Sequence, residues 1–211
     1  TPGTITAFGS PTASTFGTGT ASDGEGGMVW IKSRTNPSTG LYHHLMDTER
    51  AKIGGFRPAL HSNTSEAQNT YAAATYGGIS SLNNNGFSIS SGSASNDFLN
   101  SNNIDYTSWS FRKAKGFFDI VTYTGDNTAG RVIPHNLGCK PGSIFIKATN
   151  SAQYWSVWHR GLNGGVNPHT KKIYLNESDA ESASTNDFTA APTSTGFTVG
   201  NDGRVNQGSG T

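Results

Sequence analysis

Gly27-Met28-Val29-Trp30-Ile31-Lys32-Ser33-Arg34 returns later in the chain as Gly142-Ser143-Ile144-Phe145-Ile146-Lys147-Ala148-Thr149, with Phe145 standing 115 positions after Trp30. Each version is a short, apolar, partly alternating run that ends at a lysine and leaves into a polar turn. That is the pattern of a strand buried on at least one face. An internal repeat is therefore the first expectation, and the neighbouring segments extend it.

Downstream, Leu41-Tyr42-His43-His44-Leu45-Met46-Asp47 parallels Tyr154-Trp155-Ser156-Val157-Trp158-His159 with a slightly longer turn in the first copy, and Leu60-His61-Ser62-Asn63 parallels Ile173-Tyr174-Leu175-Asn176. Gly86-Phe87-Ser88-Ile89 then parallels Gly196-Phe197-Thr198-Val199. The offset falls from 115 to 110 along the way, a drift that belongs in turns. Upstream, Ile5-Thr6-Ala7-Phe8-Gly9 matches Ile120-Val121-Thr122-Tyr123-Thr124 at the same 115. The first copy closes with Tyr106-Thr107-Ser108-Trp109-Ser110-Phe111, whose counterpart would fall after Thr211, so the sheet edge left there is expected to be filled by a continuation of the chain, by another chain or by the N-terminal segment. The expected division is 1–115 and 116–211, with the second unit lacking its closing strand.

Composition agrees with an all-β reading. The chain has 211 residues, 33% hydrophobic and only 14% charged, with 27 glycines, so small uncharged residues make up much of its polar surface. Short strands separated by turn signals at intervals of about 8–12 residues suggest antiparallel β-sandwich or barrel units. Helical signal is confined to Thr64–Ala74, which lacks an apolar stripe and reads as a short surface helix at most.

The net charge of +1, with lysines and arginines scattered, argues against a nucleic-acid partner. No apolar run approaches the length of a membrane span. The single cysteine, Cys139, excludes a disulfide within the chain and a cysteine-based zinc site. The first residue is not methionine, which suggests a piece of a longer protein.

The ordered set Val29-Trp30-Ile31-Lys32-Ser33-Arg34, His43-His44-Leu45-Met46-Asp47-Thr48-Glu49-Arg50, Gly86-Phe87-Ser88-Ile89 and Tyr106-Thr107-Ser108-Trp109-Ser110-Phe111 resembles a repeat in structural proteins of marine tailed bacteriophages, especially cyanophages. The second copy carries the likeness through Phe118-Asp119-Ile120-Val121-Thr122-Tyr123-Thr124-Gly125, Ile133-Pro134-His135-Asn136-Leu137-Gly138 and Ala191-Pro192-Thr193-Ser194. The resemblance implies two tandem concanavalin-like or jelly-roll sandwiches on a virion, and it transfers no catalytic residue. It implies a tail fibre, tail-associated protein or capsid appendage, a homo-oligomer with a trimer as the natural form for a fibre, and other virion proteins as partners.

Site chemistry is sparse. His43 and His44 are adjacent, so on a strand they point to opposite faces and cannot chelate one metal together. The acids Asp47, Glu49, Glu66, Glu177, Asp179 and Glu181 show no spacing that marks a glycosidase pair. Gly17-Thr18-Gly19, Gly24-Glu25-Gly26-Gly27 and Asp23-Gly24-Glu25 read as linker or turn. No catalytic residue, metal or cofactor is expected. The richest functional candidate is Tyr154, Trp155, Trp158 and His159, where one strand face would pack the core and the other would offer a ring to a neighbouring subunit or a host sugar. With Trp155 or Trp158 as platform, a carbohydrate-binding module recognising host surface polysaccharide is the alternative to a structural role.

Overall fold

The computed structural model describes residues 3–6, 26–35, 42–69, 73–83, 86–93 and 98–208. Phe8, the glycine-rich run before Gly26 and part of the Asn96–Asn103 stretch lie outside these residues. The chain divides into two compact units, Thr1–His61 with Gln68–Ala114, and Lys115–Thr211 with Ser62–Ala67.

The first unit contains β1 (Gly3–Thr6), β2 (Gly27–Ser33), β3 (His44–Asp47), β4 (Leu60–His61), the one-turn helix α1 (Ala73–Tyr76), β5 (Gly78–Asn83), β6 (Gly86–Ser90) and β7 (Tyr106–Arg112). The second contains β8 (Arg131–Pro134), β9 (Ser143–Ile146), β10 (Ser156–His159), β11 (Lys171–Tyr174), β12 (Ser182–Ala183), β13 (Phe188–Ala190), β14 (Gly196–Val199) and the short helix α2 (Gly203–Asn206). The protein is all-β, and its strand pairings are antiparallel. Of the helix expected within Thr64–Ala74, residues 64–69 run as turn and irregular backbone, and a one-turn helix takes up Ala73–Tyr76. Without an apolar stripe residues 64–69 have no face to bury, so intrinsic preference alone does not hold a helix.

Two sheets build each unit. In the first, β4-β3-β2-β7 and β1-β6-β5 direct Val29, Ile31 and Met46 from one sheet, and Ile79, Leu82, Phe87 and Ile89 from the other, into a shared core. Strand β2 buries every second residue from Gly27 to Ser33, which is the period of two that its sequence announces. In the second unit, β12-β11-β10-β9 and β13-β14-β8 share a core of Ile133, Ile144, Ile146, Trp158, Phe188, Phe197 and Val199.

The registers show how the copies correspond. Trp30 pairs with Leu45 and Phe145 with Val157; Leu45 pairs with Leu60 and Val157 with Ile173. Thr48 donates its backbone N–H to Gly27 O at 3.0 Å, and Arg160 repeats that bond to Gly142 O at 3.0 Å. Lys32 Nζ donates to Ser33 O at 3.0 Å and Lys147 Nζ to Ala148 O at 2.8 Å. Even the irregularity is duplicated, since the ladder shifts between Ile79 and Ser81 in β5 and between Phe188 and Ala190 in β13.

One correspondence differs from the sequence expectation. The place of β1 beside β6 is taken in the second unit by β8 beside β14, so Ile5 opposite Phe87 matches Ile133 opposite Phe197. Residues 120–124 form no strand. Instead Asp126 N–H and Asn127 N–H donate to Asn206, at Oδ1 (3.1 Å) and at the backbone oxygen (2.9 Å), while the Tyr123 hydroxyl donates to Val205 O. A matched run of alternating residues identifies a strand-like pattern but not whether a neighbour's ladder or side-chain bonds will satisfy its backbone.

Candidate functional site

Strand β10 does not divide the four candidates as simple alternation would. Ordered pairing starts only at Ser156, and Ser156, Val157 and Trp158 are all buried. Trp158 has no exposed surface and fills the core, and Trp155 is 5% exposed, with its backbone N–H donating to Asn176 Oδ1 at 2.9 Å. Neither tryptophan can serve as a sugar platform, which corrects that version of the carbohydrate reading. Tyr154 is 42% exposed, and its ring leans on Tyr174 with centroids 5.2 Å apart at 50°. His159 is exposed, and its Nδ1 accepts the Gly161 N–H at 3.1 Å. The four therefore do not form one site: two rings belong to the interior, and Tyr154 and His159 are left at the surface.

Charged chemistry gathers one strand away. Asp187, with no exposed surface, precedes β13; its Oδ2 meets Lys172 Nζ from β11, and its Oδ1 accepts the Ser156 hydroxyl from β10. Arg204 Nε of α2 lies 3.5 Å from Oδ1, while its Nη2 pairs with Asp202 Oδ2 at 2.6 Å. Lys172 Nζ and Arg204 Cζ stand 5.3 and 5.4 Å from the centroid of the Tyr174 ring. The two cations balance the two carboxylates. Because Lys172 comes from one sheet and Asp187 adjoins the other, the cluster ties the two sheets of this unit together.

Sequence reasoning missed these residues. Their only local signal is the alternation in Lys171-Lys172-Ile173-Tyr174, which puts Lys172 on the same side of the strand as Tyr174.

The model of a family described as a domain of unknown function (DUF7483) matches residues 4–211. The chain belongs to the DUF7483 family. Its match runs across both units, so the duplication lies inside one DUF7483 domain. No curated protein and no solved structure matches the chain.

The first unit of this DUF7483 domain spends its ionisable groups differently. Asp47 Oδ2 takes Arg50 Nε at 2.7 Å, and its Oδ1 accepts the N–H groups of Glu49 and Arg50 at 3.0 and 2.9 Å. Arg50 also donates to Leu45 O and Gln68 Oε1. Glu49 Oε1 holds Lys113 Nζ at 2.9 Å. His43 Nδ1 accepts the Trp30 indole N–H at 3.0 Å, and burial, with Lys32 adding to it, holds the His43 pKa below the usual histidine range. His44 lies on the buried side, its ring edge-on to His61 at 4.7 Å. A cavity of about 30 Å³, room for roughly one water, sits among His44, Arg57, Ala59, Asn69, Gly78 and Phe98. The described residues contain no group of three or more histidine, cysteine, aspartate or glutamate side chains placed to hold a metal ion.

Proposed function

We propose that the chain is a non-enzymatic structural module of a phage virion, part of a tail fibre, tail-associated protein or capsid appendage, with each unit a β-sandwich of the concanavalin-like or jelly-roll kind. It assembles with further copies of itself, as a trimer in a fibre, and with other virion proteins. The observation that carries this reading is the buried Lys172–Asp187–Ser156 cluster with its Arg204 partner, where the densest polar chemistry in the second unit faces the core and links two sheets. Such an arrangement fixes geometry. In the first unit the buried Asp47–Arg50 pair fixes the turn that follows β3.

The test is immunogold labelling of intact particles encoded alongside this chain, combined with mass spectrometry of the purified particles. Label on the tail or capsid at a fixed stoichiometry is expected. Particles free of the chain, with all of it recovered unassembled from infected cells, overturn the proposal.

Tyr154 supports a second reading. An exposed ring seated against Tyr174, with Asn176 and Glu177 following on the same segment, has the amphipathic character of a sugar-binding surface. A glycan array probed with the chain and with Tyr154→Ala tests it: binding that vanishes in the variant favours a carbohydrate-binding module, and binding to no glycan removes that alternative.

A further inference from the structure

The two units differ at one sheet edge. In the first, β2 is covered along its whole length by β7, from Gly27 opposite Arg112 to Ser33 opposite Tyr106, with Trp30 paired to Trp109 edge-on at 5.8 Å. Two backbone bonds extend the ladder past its ends, Lys113 N–H to Gly26 O at 2.9 Å and Arg34 N–H to Asp105 O at 2.7 Å. In the second unit β9 ends its sheet, and among the described residues no strand lies on its outer side. Phe145, the counterpart of Trp30, is 53% exposed.

We propose that the outer edge of β9 is a strand-accepting surface whose occupant is an antiparallel segment of β7's own chemistry, lying outside the described residues. The registers place its tryptophan opposite Phe145, as Trp109 stands opposite Trp30, and its small hydroxyl residues opposite Ile144 and Ile146, as Ser110 and Ser108 stand opposite Val29 and Ile31. Alternation then sends the tryptophan and the phenylalanine to the outer face over Phe145 and the serines to the core side, where Ile144 and Ile146 already fill the space, with the tyrosine on that core side as Tyr106 is in the first unit. The ends fit as well. Pro141 stands where Gly26 stands and lacks only an N–H, while the ladder there uses the carbonyl. Thr149 supplies the N–H that Arg34 supplies in the first unit. The inference rests on the duplication alone and holds or fails independently of the virion reading.

The experiment appends the ten residues Ile104–Lys113 to the full chain behind a Gly/Ser linker, which raises their local concentration at β9. A second version carries the same ten residues in scrambled order. Hydrogen exchange at the β9 amides that point away from β10 is expected to slow at least tenfold, a figure of about one pairing interaction's worth, in the ordered version only. Replacing the appended tryptophan by alanine should return about two- to twelvefold of that protection, the contribution of one aromatic pair. Equal protection by the scrambled strand, or unprotected amides in both versions, overturns the proposal. So does light scattering showing that the unmodified chain already dimerises through β9, since a second copy would then hold the edge.

Discussion

Three matched positions separate the two units more sharply than any motif does. His44, Ala59 and Gly78 of the first unit occupy the places that Ser156, Lys172 and Asp187 hold in the second, as the paired registers of β3 with β4, β10 with β11, β5 with β6 and β13 with β14 require. With alanine and glycine the first unit keeps a cavity of about 30 Å³ beside His44, and it fills the surroundings with stacked rings, Phe98 lying on Tyr76 at 4.6 Å. With lysine and aspartate the second unit fills the same place with a buried ion pair. One backbone therefore tolerates two interiors, one closed by aromatic packing and the other by charge, provided each polar group finds its partner.

The largest effect should come from breaking the second solution halfway. Asp187→Ala strands Lys172 in a site where it is 5% exposed, and removal of one partner from a buried pair costs about 3–5 kcal/mol. Lys172→Ala with Asp187→Gly installs the residues of the first unit at both positions, leaving a void but no orphaned charge, and should recover a good part of that loss. Denaturant unfolding checks this when followed by tryptophan fluorescence in a Trp30→Phe/Trp109→Phe background, where Trp155 and Trp158 report on the second unit alone. A double variant as unstable as the single one would refute the matching of the two sites.

A smaller effect is expected at Gly200, the counterpart of Ser90. Its N–H donates to Asp187 O at 3.0 Å, which holds the backbone that presents Asp187. A Cβ there would lie 2.1 Å from the Asn186 carbonyl oxygen, so Gly200→Ser, the residue of the first unit, forces the backbone to shift. Overpacking of this kind costs about 1–3 kcal/mol. Calorimetry of the variant should show the second unit melting earlier, while a transition at the parent temperature would mean that the Asn186 turn yields freely. By contrast Tyr154→Ala, at an exposed ring, should stay within about 0.5 kcal/mol of the parent. A clearly larger loss in the same unfolding assay would make Tyr154 part of the fold.

The legible part of this chain was whatever repeats. The offsets at β2 and β9, at β4 and β11, and at β6 and β14 agree with the sheet registers, because inward-facing residues recur with period two and tolerate little change. Alternation puts one of Trp155 and Trp158 on the core face and the other outside, yet both are buried, because ordered pairing begins only at Ser156 and alternation does not govern the residues before it. Residues 120–124 match the opening segment at the 115-residue offset, and Val121 and Tyr123 do pack against the core, yet they form no strand, and the Asp126 and Asn127 N–H groups just after them go to Asn206. The Asp187 cluster had almost no sequence signal: its members come from four separate stretches, and a buried charge looks like a surface one until its partner is placed.

The last effect is a pH dependence and concerns the lysine that ends each repeated strand. Lys147 Nζ donates to the carbonyls of Ala148 and Ser151 at 2.8 and 3.4 Å, and burial pushes its pKa from 10.5 down to about 8. A folded-state pKa below the unfolded one means that, above pH 8, the unfolded chain binds more protons than the folded chain, so stability rises with pH. The rise should begin near pH 8 and run toward pH 10, below the range where unfolded tyrosines ionise. Tyr123 then acts in the opposite sense, since burial raises its phenol pKa and stability falls once unfolded phenols lose their protons. Lys147→Met removes the ionisable group and keeps a long flexible side chain in its place. Urea midpoints measured from pH 7 to pH 10 should therefore rise in the parent and stay flatter in the variant. Parallel profiles would show that the Lys147 ammonium is as well solvated in the fold as in the open chain.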